Sequence, residues 1–139
     1  MYSVLSVQHT GTRYLIHKLD VGRNSEHTYK GNQKRVDKLL GMPYLIVVPL
    51  RHPARVYESW VRRERRLHEL DYQYEYMAKI TSKRDVYFVS VENGDAPIGS
   101  NANTANMEIT PAMQKRVPDE VMRWYEDAMA KAVPLDTLL

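Results

Sequence analysis

The 139-residue chain contains no cysteine, which excludes disulfides, thiolate zinc sites and cysteine nucleophiles. No apolar run approaches the roughly 20 residues that a membrane-spanning helix needs. No basic segment leads into a long apolar stretch as in a secretory signal. The expectation is a cytoplasmic protein with no membrane partner. A strong charge of one sign is also missing: 20 Lys and Arg against 17 Asp and Glu give a net +3. That mildly basic balance suits an anionic ligand and does not single out nucleic acid. No His, Asp and Glu group has metal-ligand spacing, so no metal is expected. There is no internal repeat and no low-complexity tail. A chain of this length makes one domain, residues 1–139, large enough to bury a real core.

What is present is an alternation of strand and helix patterns. Residues 2–7 alternate and are rich in β-branched side chains, predicting a strand. Thr10, Gly11 and Thr12 make a turn, and a short helix follows with Tyr14, Leu15 and Leu19 on one face, ending near Gly22. Residues 21–33 are polar and irregular, predicting a loop that carries His27. A short helix over 34–40 stops at Gly41 and Pro43. The run Tyr-Leu-Ile-Val-Val-Pro-Leu at 44–50 predicts a strand buried on both faces, with Pro49 at the sheet margin. A helix is predicted from Pro53 to about Leu70, with Val56, Trp60, Val61 and Leu67 sharing its buried side, and another over 71–80. A third strand covers 85–91, residues 93–106 form a long loop, and a last helix opens at Pro118. Strands alternating with helices predict an α/β domain with a largely parallel sheet.

A strand, a glycine turn and a helix start gather backbone N–H groups around one point, which favours an anion. The ATP-binding form G-x-x-x-x-G-K-[ST] is not met here, because Gly11 is followed by Thr12 and Arg13 and the first glycine is absent. The segment Leu50-Arg51-His52-Pro53-Ala54-Arg55-Val56-Tyr57-Glu58-Ser59 adds a second element. An arginine at the end of a buried strand and a hydroxyl two turns along the next helix can grip one phosphate. Ligands of open α/β sheets bind at that end of the strands.

The two segments together resemble the sulfotransferases that use 3′-phosphoadenosine 5′-phosphosulfate (PAPS). Gln8-His9-Thr10-Gly11-Thr12-Arg13-Tyr14 is similar to the family's P-K-S-G-T-T-W, and Arg51-His52-Pro53 with Ser59 reproduces the spacing of R-[ND]-P-x-x-x-x-x-S. The resemblance covers about residues 4–60. It implies a P-loop NTPase-like α/β domain, three-layered with a small, largely parallel sheet. It also implies transfer of the sulfuryl group from PAPS to a hydroxyl or amine of an acceptor, with adenosine 3′,5′-bisphosphate as product. His9, Thr10, Gly11, Thr12 and Arg13 would cradle the 5′-phosphosulfate, and Arg51 with Ser59 would hold the 3′-phosphate. The family's general base is often a histidine between the motifs, and His27 stands 24 residues before Arg51. Imidazole titrates near neutrality, which suits that role. Glu26 is a second candidate base.

The sequence departs from the family at several points. His9 replaces the loop lysine, and Arg13 stands where threonine is usual, so His9 and Arg13 are expected to share the lysine's role. The aromatic-acidic pair after the third strand is Val91-Glu92 here, leaving Trp60 or Tyr57 as rings for adenine. Ile98-Gly99-Ser100-Asn101 is a candidate for the family's late loop near the 3′-phosphate. The chain is short for the family, which leaves the acceptor site open or completed by a second copy in a homo-oligomer. The run Arg62-Arg-Glu-Arg-Arg66 reads as a solvated helix face. Tyrosines 72, 74 and 76 read as packing or as the lining of an acceptor cleft. Two other readings stay open: a nucleotide or small-molecule kinase with a degenerate phosphate loop, and a catalytically silent module binding nucleotide or RNA.

Overall fold

The computed structural model describes residues 1–19, 21, 23–91 and 107–139. Four strands form one parallel sheet in the order β2-β1-β3-β4. They are β1 (Tyr2–Ser6), β2 (Ser25–His27), β3 (Leu45–Leu50) and β4 (Tyr87–Ser90). The helices are α1 (Thr12–Lys18), α2 (Gln33–Leu40), α3 (Pro53–Arg62), α4 (Leu67–Lys83), α5 (Pro111–Lys115) and α6 (Asp119–Lys131), followed by a 3₁₀ turn over Leu135–Leu138. No helix among the described residues is long and apolar enough to cross a membrane.

Each strand divides its side chains between two apolar clusters, as the period-two geometry of a strand requires. Val4, Val47 and Val89 join Tyr14 and Leu15 of α1 and Leu138 of the terminal turn. Leu5, Ile46, Val48, Leu50 and Phe88 join side chains of α2, α3, α4, α5 and α6 on the other face. The sheet is therefore covered on both sides, which is why β3 reads as a continuous apolar run. Pro49 fits inside β3 because the β1–β3 ladder pairs only Leu45–Val47, so the missing N–H faces no β1 partner.

Connection direction and cluster membership agree. The chain moves from β1 to β2 by way of α1 on one face, then crosses back over β1 to β3 by way of α2 on the other. Right-handed crossovers that travel in opposite directions must use opposite faces. The change of direction falls between β1 and β3, so the loops leaving those two strands splay apart and leave a crevice.

Three expectations are corrected. His27 lies in a strand, not a loop: Ser25–His27 pairs with Val4–Ser6, and Thr28 N–H extends the ladder to Ser6 O at 3.1 Å. Three polar residues at a sheet edge carry no hydrophobic alternation, so the pattern left no trace. The helix expected to continue to Leu70 stops at Arg62, and α4 runs unbroken from Leu67 to Lys83. Beyond Arg62, which closes α3, Arg63–Arg66 is thus a turn rather than a helix face, with Glu64 left-handed at φ 56°. No position in that run is apolar, so extending the helix through it would bury nothing. Leu67 consequently belongs to α4. The first helix ends at Lys18, short of Gly22; Glu92, the loop over 93–106 and its 98–101 segment lie outside the described residues.

Leu70 is fully buried in α4 between the sheet and its neighbouring helices. Leu70→Ala should lower stability by about 2–5 kcal/mol, and exposed Lys83→Ala by no more than about 0.5 kcal/mol. Urea unfolding of the two variants checks this.

Candidate functional site

The turn after β1 is built from two left-handed residues, His9 at φ 70° and Gly11 at φ 94°. Glycine is required at the second. A Cβ on Gly11 would sit 2.7 Å from Val91 Cγ2, in a conformation that side chains rarely adopt. His9 holds the same region without that freedom, at a cost of about 1 kcal/mol or more. Two contacts fix it there. Its carbonyl accepts a 3.1 Å bond from Arg51 Nη1, and its ring meets Trp60 edge-on, centroids 6.0 Å apart.

Arg51 stands at the end of β3, 2% exposed. It is neither a surface arginine nor a helix cap; its guanidinium bridges the crevice from β3 to the β1 loop. The cap of α3 is His52, whose Nδ1 accepts from Ala54 N at 3.1 Å. A side-chain acceptor directly before the helix is the job that Asn or Asp performs best; here an imidazole performs it. Ser59 lies in α3, 2% exposed, and its hydroxyl makes no hydrogen bond to any described residue.

The edge strand brings His27 to the same end of the sheet. Register pairs it with Ser6, and His27 Nδ1 lies 2.9 Å from Ser6 Oγ. Ser6 Oγ in turn lies 2.7 Å from Thr12 Oγ1. One buried hydroxyl therefore joins the histidine to the first residue of α1. Burial holds the His27 pKa below its usual 6.5, against a smaller opposing pull from a hydrogen bond with the Ser6 backbone and from the Glu26 carboxylate. His27 is thus neutral at neutral pH. Glu26 accepts from Asn32 Nδ2 at 3.1 Å, and the same amide donates to His27 O at 2.7 Å, which tethers Glu26 to the turn before α2.

Of the remaining loop residues, Thr10 is buried and donates its hydroxyl to Val7 O at 2.6 Å, so its side chain serves the turn itself. Arg13 is exposed in the first turn of α1 and forms no ion pair among the described residues. The structure therefore gathers His9, Thr10, Gly11, Thr12, Arg13, His27 and Arg51 around one crevice, with Ser59 on the helix that follows Arg51.

Two expected adenine rings are not available. Tyr57 is fully buried and donates to Asp71 Oδ1 at 2.6 Å, and Trp60 is 1% exposed beneath Arg65. Both are core residues, because α3 turns that face toward α4 and the sheet.

Sequence reasoning missed the residue that binds the loop to the rest of the fold, Gln73. Its Oε1 accepts from Gln8 N and its Nε2 donates to Gln8 Oε1, both at 2.9 Å, while its carbonyl accepts from Thr28 Oγ1 at 3.0 Å. An amide among tyrosines on a helix was the only available signal. The chain matches no protein-family model, no curated protein and no solved structure.

Two outcomes are expected. Gly11→Ala should cost about 1–3 kcal/mol, and the cost should shrink in a Val91→Ala background, as a double-mutant cycle by denaturant unfolding would show. Unfolded His27 takes up a proton near pH 6.5 and the folded residue only at lower pH. Stability should therefore be complete above pH 6.5 and fall as pH drops through the window below it. In His27→Asn that part of the pH dependence should be absent.

Proposed function

We propose that the chain is a small PAPS-dependent sulfotransferase on a P-loop NTPase-like, three-layer α/β domain, transferring a sulfuryl group to a hydroxyl or amine. The observation that carries this reading is the joining of a neutral His27 to Thr12 of the glycine turn through Ser6, beside a buried Arg51 that spans the crevice. A base, a loop of the anion-binding kind and a fixed cation then face one point at the carboxyl ends of parallel strands.

The residues fit the cofactor on two counts. Arg51 and Ser59 stand on successive elements and would together hold the 3′-phosphate that distinguishes PAPS from ATP. His9 and Arg13 flank the turn and offer positive charge where the lysine is absent. When bound, PAPS supplies a sulfuryl group on a phosphate leaving group: the acceptor oxygen bonds to sulfur as the bond from sulfur to the bridging oxygen breaks, and that oxygen leaves with adenosine 3′,5′-bisphosphate. His27 takes the acceptor's proton. In the tautomer that serves, Nδ1–H donates to Ser6 Oγ, Ser6 donates to Thr12 Oγ1, and the Thr12 proton turns to the ligand. The lone pair on Nε2 is then the base. Arg13 and His9 offset negative charge growing on the leaving oxygen.

The structure bears on the choice of variants. Arg51→Ala would remove a buried side chain and release His9, so it would lower stability as well as binding. Ser59→Ala removes a hydroxyl with no hydrogen bond to a described residue and is the cleaner probe. Thermal unfolding with adenosine 3′,5′-bisphosphate at ~100 times its dissociation constant should add about 2.7 kcal/mol, a rise of roughly 8–12 °C. That rise should shrink in Ser59→Ala at the same ligand concentration and persist in His27→Asn, which should lose turnover. A rise with magnesium-ATP alone would point instead to a kinase with a degenerate loop. With both nucleotides silent, the sulfotransferase reading falls as well.

For an active preparation, kcat/KM against pH should rise with an acid limb whose midpoint lies below 6.5, since the working form of His27 is the neutral one. A midpoint above 6.5 would exclude His27 as the base.

A further inference from the structure

Beside the glycine turn lies a cleft of about 600 Å³ whose occupant the reading above leaves unspecified. We infer that it receives the acceptor, and that the acceptor is a carbohydrate; this rests on the sulfotransferase reading for the word acceptor, but not for the ligand class. The cleft starts at Gln8, the residue before His9, and continues along Tyr29 and Lys30, two and three residues after His27. Its far wall is the first half of α4, with His68, Glu69, Tyr72 and Gln73. A molecule in it lies between the turn and the strand that carries the base.

The chemistry of the lining decides the class. Every side chain facing this cleft can donate or accept a hydrogen bond, and none is aliphatic. A second cleft of about 610 Å³, between α4 and α6, differs in that its lining includes Ala78, Pro118 and Val121 beside charged groups such as Glu75 and Lys79. A lipid chain or a plain aromatic ring placed in the first cleft would cover amide, imidazole, ammonium and carboxylate groups without replacing their hydrogen bonds to water. A sugar supplies hydroxyls to those groups and apolar C–H faces to rings, and two phenol rings are there. Tyr29 is 38% exposed. Tyr72 is held in place by a hydrogen bond from Gln33 Nε2 and by the Tyr76 ring, 6.1 Å away. On the floor, the Gln8 and Gln73 amides pair through Gln8 Oε1, which leaves the Gln8 Nε2 protons for a ligand oxygen. The volume falls within the roughly 300–1,000 Å³ of small-molecule sites.

Ligand-observed saturation-transfer NMR on the full chain tests this, with lactose, maltotriose and N,N′-diacetylchitobiose as saccharide probes and 2-naphthol as the aromatic alternative. Each is run with and without saturating adenosine 3′,5′-bisphosphate. At least one saccharide should bind, and Tyr29→Ala and Tyr72→Ala should each weaken it by about tenfold while leaving bisphosphate affinity unchanged. Tyr29→Ala and Lys30→Ala alter exposed positions, so their folding is not at issue. Binding of 2-naphthol with no saccharide bound would overturn the carbohydrate assignment. Saccharide binding that survives both tyrosine replacements would overturn the cleft assignment. If a saccharide binds and is lost in the tyrosine variants while the bisphosphate never binds, the carbohydrate cleft stands and the sulfotransferase reading fails. If the bisphosphate binds and no saccharide does, only the present inference fails.

Discussion

Strand β1 pairs with β2 on one side and β3 on the other, and the chain has to reverse its direction of travel across the sheet at that strand. The handedness of parallel connections then sends α1 to one face and α2 to the other. Arg51 and His9 meet across the gap between the loops leaving β1 and β3, the guanidinium donating to the His9 carbonyl. The same register that creates the gap sets Ser6 against His27. Slipping the β1–β2 pairing by one residue would turn the histidine to the opposite face of the sheet. Site geometry and sheet topology are thus one constraint.

That arrangement places strain and desolvation where a ligand would use them. His9 occupies a left-handed conformation that a glycine would hold more easily, and Arg51 keeps a cation away from water. Each offsets part of the other's penalty, since the strained residue turns its carbonyl to the buried guanidinium. Trp60 supports both by closing the space under the His9 ring. Its ring is therefore structural, which answers the question of whether it was free to meet a base.

The sequence exposed those parts of the fold that bury apolar surface in a regular period. β1, β3, β4 and α6 stand within a few residues of their expected places because their side chains alternate or recur for the core. β2 escaped because Ser25, Glu26 and His27 pair by backbone alone at an edge. The α3–α4 break escaped because a run of arginines fits a solvated helix as well as a turn, and only Glu64 in the left-handed region separates the two. In the site, Gly11, Arg51 and Ser59 were legible from motif spacing. The Ser6–His27 contact was not, because it exists only once β1 and β2 are in register. Tyr57 and Trp60 looked available as rings because sequence does not tell which aromatic side of an amphipathic helix faces a neighbouring helix.

The Gln8–Gln73 pair has the widest consequence for how the site works. Gln73 sits in α4, whose Leu70 and Met77 are fixed in the core, and it reaches both the residue before His9 and the hydroxyl of Thr28 just after His27. A double amide contact of this kind resists displacement because freeing either end strands a buried polar group. The start of the glycine turn and the end of the histidine strand are therefore held to one rigid helix rather than to each other alone. The wall of the polar cleft belongs to that same helix. The distance from anything bound in the cleft to His27 and to the turn is accordingly set by α4 packing. In the proposed group transfer, which depends steeply on such a distance, the core residues of α4 position the reacting groups without touching them.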